Sequence, residues 1–250
     1  MKKVYALILS CSILLAGCFE TTQEITINKD GSGIFVNITD LSKIVGLLKQ
    51  MGGDSAQSIP NTDTTISLAG IADSIPGLSL QQKKLIGQGT MRLTVNMPDE
   101  KLLIKLNLPF KKVSDIQTLK DVMPEISEAT LKKLPHTDEM PAGGGESDSS
   151  KLKSFDNFYD MTFTDKLITK TLNKTKYDAG KNSDYMKSIQ QMSDMGSPMT
   201  ANYIINLPRP AKKVEGKAVK LSDDKKKVTL TVTSDDFFND PTKFEYRIEY

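Results

Sequence analysis

The sequence predicts an α+β protein, with a mostly antiparallel, hairpin-rich sheet packed by four or five helices. Three observations point there. Runs of alternating apolar and polar residues come in pairs around tight-turn sequences, as antiparallel hairpins require. Apolar residues at helical spacing recur between these runs, twice behind a Ser-x-x-Gln capping sequence. Strands do not alternate regularly with helices along the chain, as a doubly wound parallel sheet would need.

The first hairpin is the clearest. Ile25 and Ile27 alternate with polar residues, as do Ile34, Val36 and Ile38, and Asp30-Gly31-Ser32-Gly33 stands between the two runs. Asp-Gly in that place signals a hairpin because the tight turn needs positive φ. Asn28, Asp30 and Ser32 also match positions 1, 3 and 5 of a calcium loop, with Gly33 at 6, but position 12 is Thr39. A bidentate Glu is needed there, so the hairpin is expected and calcium is not.

Leu41, Ile44, Val45, Leu48 and Met51 share a helical face over Asp40–Met51, stopped by Gly52-Gly53. Residues 53–63 are polar and predict a loop. Leu68, Ile71, Ala72 and Ile75 place a helix within 65–75, and Ser79–Gln82 is a capping box for a short helix carrying Leu85 and Ile86. Met91, Leu93, Val95 and Met97, then Leu102, Ile104, Leu106 and Leu108, form a second hairpin around Pro98-Asp99-Glu100. Ser114–Gln117 predicts another capping box, opening a helix with Val113, Ile116, Leu119, Met123 and Ile126 near one face.

Residues 136–154 hold three consecutive Gly and almost no large apolar side chain, so a disordered loop is expected. It either separates two lobes, 22–135 and 155–250, or is one excursion from a single sheet. Beyond it, Phe155–Phe163 and Leu167–Leu172 predict strands and Ser183–Met195 a helix. Tyr203, Ile205 and Leu207 alternate. Val219 and Leu221 lead into a polar turn at 222–227, followed by Val228, Leu230 and Val232. Asp235–Asp240 fits one helical turn. Phe244, Tyr246, Ile248 and Tyr250 alternate with Glu245, Arg247 and Glu249, a strand with one wet and one buried face. The total is roughly ten strands.

The N-terminus carries an address. Lys2 and Lys3 precede a mostly apolar stretch of 13 residues, Val4–Ala16. As a helix this spans ~20 Å, short of the ~30 Å hydrocarbon core, so a signal peptide over 1–17 is expected rather than a membrane span. Leu15-Ala16-Gly17-Cys18 matches the bacterial lipobox, which implies cleavage between Gly17 and Cys18, diacylglycerol and palmitate-type acylation of Cys18, and a tether over 18–21. Phe19 rather than Asp follows the Cys, which points to the outer membrane.

Composition narrows function. The chain has 33 Lys+Arg, 31 Asp+Glu, one His, two Cys and no Trp. The leader holds two of the Lys and no acid, so the mature side chains balance and no nucleic-acid partner is expected. One His and one mature Cys exclude Cys/His zinc sites, internal disulfides and a Cys-His nucleophile. His136 sits in the polar loop, away from any fixed partner. No phosphate-loop or dinucleotide motif is present, and the acid pairs Asp99-Glu100, Asp223-Asp224 and Asp235-Asp236 fall in turns. No cofactor, metal or catalytic residue is expected.

The unusual feature is Met186, Met192, Met195 and Met199 within 14 residues. Thioethers suit Cu(I), but Gly196 and Pro198 end the helix before Met199. Core filling reads better, and Met186, Ile189, Met192 and Met195 stand as a candidate binding face.

The lipobox Cys18, Glu24–Ile27, Asp30–Gly33 and the pattern over 203–250 together resemble the DGSG-bearing bacterial lipoproteins with an LppM-like domain. The resemblance implies a lipid-binding α+β domain on a lipid tether and offers no active-site residues. The chain departs from some relatives in having no apolar span after the domain. The functional expectation is a non-enzymatic, lipid-anchored envelope lipoprotein. It works as a protein-interaction module or, alternatively, carries a lipid or other apolar ligand between sheet and helices.

Overall fold

A computed structural model describes residues 19–43, 45–46, 60–131 and 154–250. The leader with Gly17 and Cys18, most of the 40–51 helix, and the loop at 136–153 lie outside them. The described residues form two mostly antiparallel sheets and seven helices.

The first half builds β1 (Glu20–Ile27), β2 (Gly33–Asp40), β3 (Thr62–Ser67), α1 (Ala69–Ser74), α2 (Leu80–Gly87), β4 (Thr90–Asn96), β5 (Lys101–Phe110), α3 (Asp115–Asp121) and α4 (Met123–Leu131). The second half opens with a one-turn 3-10 helix (Phe155–Phe158). It continues as β6 (Tyr159–Phe163), β7 (Leu167–Leu172), α5 (Lys174–Gly180), α6 (Asp184–Asp194), β8 (Thr200–Asn206), β9 (Lys213–Glu215), β10 (Val219–Leu221), β11 (Lys227–Thr233), α7 (Ser234–Asn239), a second 3-10 turn (Pro241–Phe244) and β12 (Tyr246–Glu249).

One sheet runs β10-β11-β8-β1-β2-β5-β4-β3, the other β6-β7-β12-β9. Strands from both sides of the 136–153 segment therefore share the larger sheet. They meet where β1 pairs with β8, in parallel, from Glu20 opposite Thr200 to Thr26 opposite Asn206.

The first hairpin forms around Asp30–Gly33. The Asp30 carboxylate accepts the N–H and hydroxyl of Ser32 at 3.0 and 2.7 Å, and Gly31 adopts φ 82°. A Cβ on Gly33 would collide with the Thr26 carbonyl and the Phe110 ring, so the last Gly is required by close approach. In β2 both sides carry buried apolar residues, Phe35 on one and Val36 on the other. Phe35 is fully buried in the core, whereas Ile34 and Ile38 lie half-buried on the opposite face with Val36.

Alternation in β4 and β5 sends Met91, Leu93, Val95, Leu102, Ile104, Leu106 and Leu108 to the core side. The same face receives Ile25, Tyr203, Ile205, Leu230 and Val232, and the helices and the smaller sheet close over it.

Several element boundaries differ from expectation. The polar run Thr62–Ser67 is an edge strand, and the helix expected within 65–75 starts only at Ala69, although Leu68, Ile71, Ala72 and Ile75 are buried as foreseen. The capping box at Ser79 and Gln82 forms. The one at Ser114 and Gln117 does not: Ser114 is itself helical (φ −65°, ψ −22°) and its side chain caps nothing, while Gln117 turns to Asp121 and the Asp115 carboxylate accepts the Lys111 and Lys112 N–H groups at 3.1 and 3.0 Å. The helix expected from 115 onwards breaks at Val122 into α3 and α4, just before Pro124. Phe155–Phe158 is a 3-10 turn and not strand.

Candidate functional site

A half-open cleft of about 290 Å³ lies between α3 and β6, lined by Gln117, Lys120 and Asp121 on one side and Tyr159, Asp160 and Met161 on the other. Asp156, Asn157 and Lys176 complete it. The helical wall follows from spacing, because residues three and four apart share a face. The strand wall is an edge, since β6 pairs only with β7.

That edge is open. Asn173 N–H donates to the Phe158 carbonyl at 2.8 Å and Thr164 N–H to the Leu167 carbonyl at 2.9 Å. Bonded pairs in an antiparallel ladder alternate, so Asp160 and Thr162 face β7 with their backbone groups and Met161 faces away. The N–H and C=O of Met161 have no backbone partner among the described residues.

Beneath the cleft sits a buried charged centre. Asp156 Oδ2 accepts Lys120 Nζ at 2.7 Å, and Asp156 Oδ1 accepts Lys170 Nζ at 2.5 Å and the Tyr203 hydroxyl at 2.9 Å. Lys120 also donates to Gln23. The Lys170 ammonium is enclosed by rings, 4.0 Å from the Tyr203 centroid, 4.7 Å from Tyr159 and 5.3 Å from Phe244. The centre thereby ties β1 and β8 of the large sheet to β7, α3 and the first 3-10 turn.

Burial pushes the Asp156 carboxyl up, but Lys120 and Lys170 outweigh it and hold the group well below the usual carboxylate range. Burial brings the Lys170 ammonium down to about 8, with Asp156 opposing the change and Lys120 adding to it. Burial, then the Asp156 charge, raises the Tyr203 hydroxyl well above its ordinary value.

At the rim, Asp160 accepts Lys176 Nζ at 2.9 Å and the Asn173 amide at 2.8 Å. The Gln117 amide donates to Asp121 at 2.8 Å, leaving its own oxygen buried and without a partner.

None of these residues was singled out by sequence. The available signal was parity: Lys170 stands two residues from Ile168 in β7, and Lys120 one turn after Ile116 in α3, both on buried faces. The residues that were singled out lie elsewhere. Asp30–Gly33 shape the hairpin at the far end of β1. Met186 and Ile189 are core residues, Met192 is half-buried and Met195 is 74% exposed, so the four do not make one continuous face. No group of three or more His, Cys, Asp or Glu residues that could hold a metal ion is present among the described residues.

No protein-family model and no curated protein matches the chain. Among solved structures it resembles the folded domain of the LppM protein of Mycobacterium tuberculosis, determined by NMR, with TM-score 0.38 and 7% identity over 94% of this chain and 91% of that one.

Proposed function

We propose that this protein is a lipid-anchored component of the cell envelope whose domain binds an extended polypeptide segment along β6. The observation that carries the reading is the open edge at Met161, a strand edge that faces a cleft instead of bulk solvent. An extended segment adds to such an edge through main-chain hydrogen bonds and takes its specificity from the facing wall. The lining is mostly polar, which suits a polypeptide better than an acyl chain. The buried Asp156, Lys120 and Lys170 spend their polar groups largely on one another and form a fixed floor beneath that edge.

The anchor rests on Leu15-Ala16-Gly17-Cys18. Phe19 already bonds to the sheet, its carbonyl accepting the Thr200 N–H at 2.9 Å, and β1 starts at Glu20. Acylation of Cys18 therefore seats the domain directly on a membrane, with Phe19 in place of Asp favouring the outer membrane.

A photo-crosslinking side chain at Asn157, on the rim, tests the binding reading in cells. The expected adduct maps to one extended segment of its partner, and the Met161 amide becomes protected from hydrogen exchange in the complex. A complex in which that amide exchanges as fast as in the free protein overturns the reading.

A further inference from the structure

The charged floor of the cleft is out of balance. Two buried ammonium groups, on Lys120 and Lys170, share one buried carboxylate, Asp156, while Gln23 and Tyr203 contribute no charge. An excess charge in a site this dry is costly until an anion meets it. Asp160 at the rim is already matched by Lys176; Asp121 lines the same cleft with only neutral Gln117 bonded to it, but it is exposed, so solvent screens its charge from the buried centre.

Lys120 is the cation that reaches the cleft. An ammonium has three donors, and Gln23 and Asp156 take two of them. Both ammonium groups lie over aromatic rings, Lys120 at 5.4 Å from Phe35 and 5.9 Å from Tyr203, but Lys120 lines the cleft and Lys170 does not.

The shape of the groove adds a direction. At one end of the open edge the chain leaves the strand for the 3-10 turn, and the Tyr159 N–H is spent on the Asp156 carbonyl. Asp156 and Asn157 from that turn line the cleft, so the groove is stopped at the end where Lys120 stands. A strand running through would meet this stop, and a parallel one would start there with its ammonium; a strand added antiparallel to β6 ends there and brings a carboxylate to Lys120.

We propose that the groove captures the C-terminal carboxylate of an extended polypeptide, which accepts the third N–H of Lys120 and matches the excess charge of the Lys120–Asp156–Lys170 centre. The proposal rests on the strand-addition reading and adds the chemical class of the end that is bound.

The test uses the full-length acylated protein in detergent micelles. The probe is a library of ten-residue peptides fixed through their N-termini, with free carboxylates, and the same library as C-terminal amides. Selected peptides are then compared in solution as acid and amide by calorimetry. The amide is expected to bind about 30-fold more weakly, as loss of a charge-assisted bond implies. Asp121→Asn is expected to tighten the acid form a few-fold by removing a like charge. Equal binding of acid and amide overturns the carboxylate; if Met161→Pro still abolishes that binding, the groove reading stands. Binding carried by an internal Asp or Glu in an amidated peptide also overturns it. A library with no binder sensitive to Met161→Pro overturns both readings together. Lys120→Gln should erase the acid–amide difference, and should that variant fail to fold, the comparison on the unaltered protein decides alone.

Discussion

Asp156 carries more of the structure than either lysine it binds. Removing it as Asp156→Asn leaves two buried ammonium groups facing each other, and urea denaturation should show a loss of about 3–5 kcal/mol. Lys170→Met leaves a balanced Lys120–Asp156 pair within an apolar cage, so its cost should be clearly smaller. The same group gives the stability curve a distinctive slope. Because Lys170 is brought down to about 8 in the folded state, against about 10.4 in an open chain, the unfolded protein binds more protons between those values. Stability should therefore rise from about pH 8 to about pH 10. Above that, the buried Tyr159, Tyr203 and Tyr246 hydroxyls, held above their ordinary range chiefly by burial, resist ionisation while the open chain ionises, and stability falls. Below about pH 4 the depressed Asp156 carboxyl gives a slope of the same sign as Lys170, stability being lost as acid is added. Urea midpoints across pH 3 to 11 check all three limbs, and Lys170→Met should lack the middle one. These residues escaped a reading of the sequence because a charged side chain is assigned to solvent by default. Only their parity with Ile168 and Ile116 marked them, and parity does not reveal which partner lies across the fold.

Among the elements, legibility followed hydrophobic contrast. The β4–β5 hairpin has full apolar–polar alternation and forms as expected, while β3 is built from Thr, Asp and Ser with a single Ile. An edge strand needs little burial, so its sequence carries little pattern. The two capping sequences show the complementary lesson. Ser79 is extended, as an N-cap must be, and Gln82 reaches back to it, but Ser114 already has helical φ/ψ and its hydroxyl caps nothing. The open edge of β6 allows a selective change. Met161→Pro removes an N–H that faces the cleft and spares the ladder to β7. It should abolish segment binding in the crosslinking assay while shifting stability by no more than about 1 kcal/mol. Deleting Tyr246–Tyr250 should do the reverse. That strand lies inside its sheet, between β7 and β9, and buries Tyr246, Ile248 and Tyr250. At about 1.5–3 kcal/mol for each large side chain, the loss rivals the stability of a typical domain, and the truncated chain should show no cooperative melting.

At the scale of the whole molecule, the prediction concerns address. Labelled palmitate should enter the unaltered protein and be absent from Cys18→Ser, which should also leave the membrane fraction; a label that persists in the variant removes the anchor. The α+β class, the hairpins and the helical segments could be read because they depend on contacts between near neighbours in sequence. The pairing of β1 with β8 could not, since nothing local to either strand specifies a partner so far along the chain. That one pairing has a consequence for how the protein is made. A chain made from its N-terminus delivers β1, β2, β4 and β5 long before β8. During that interval β1 is a border strand with unsatisfied amides, available to any passing chain. The finished sheet hides β1 in its middle, so the hazard belongs to biogenesis alone, and it ends only when residues 200–206 emerge and close the seam.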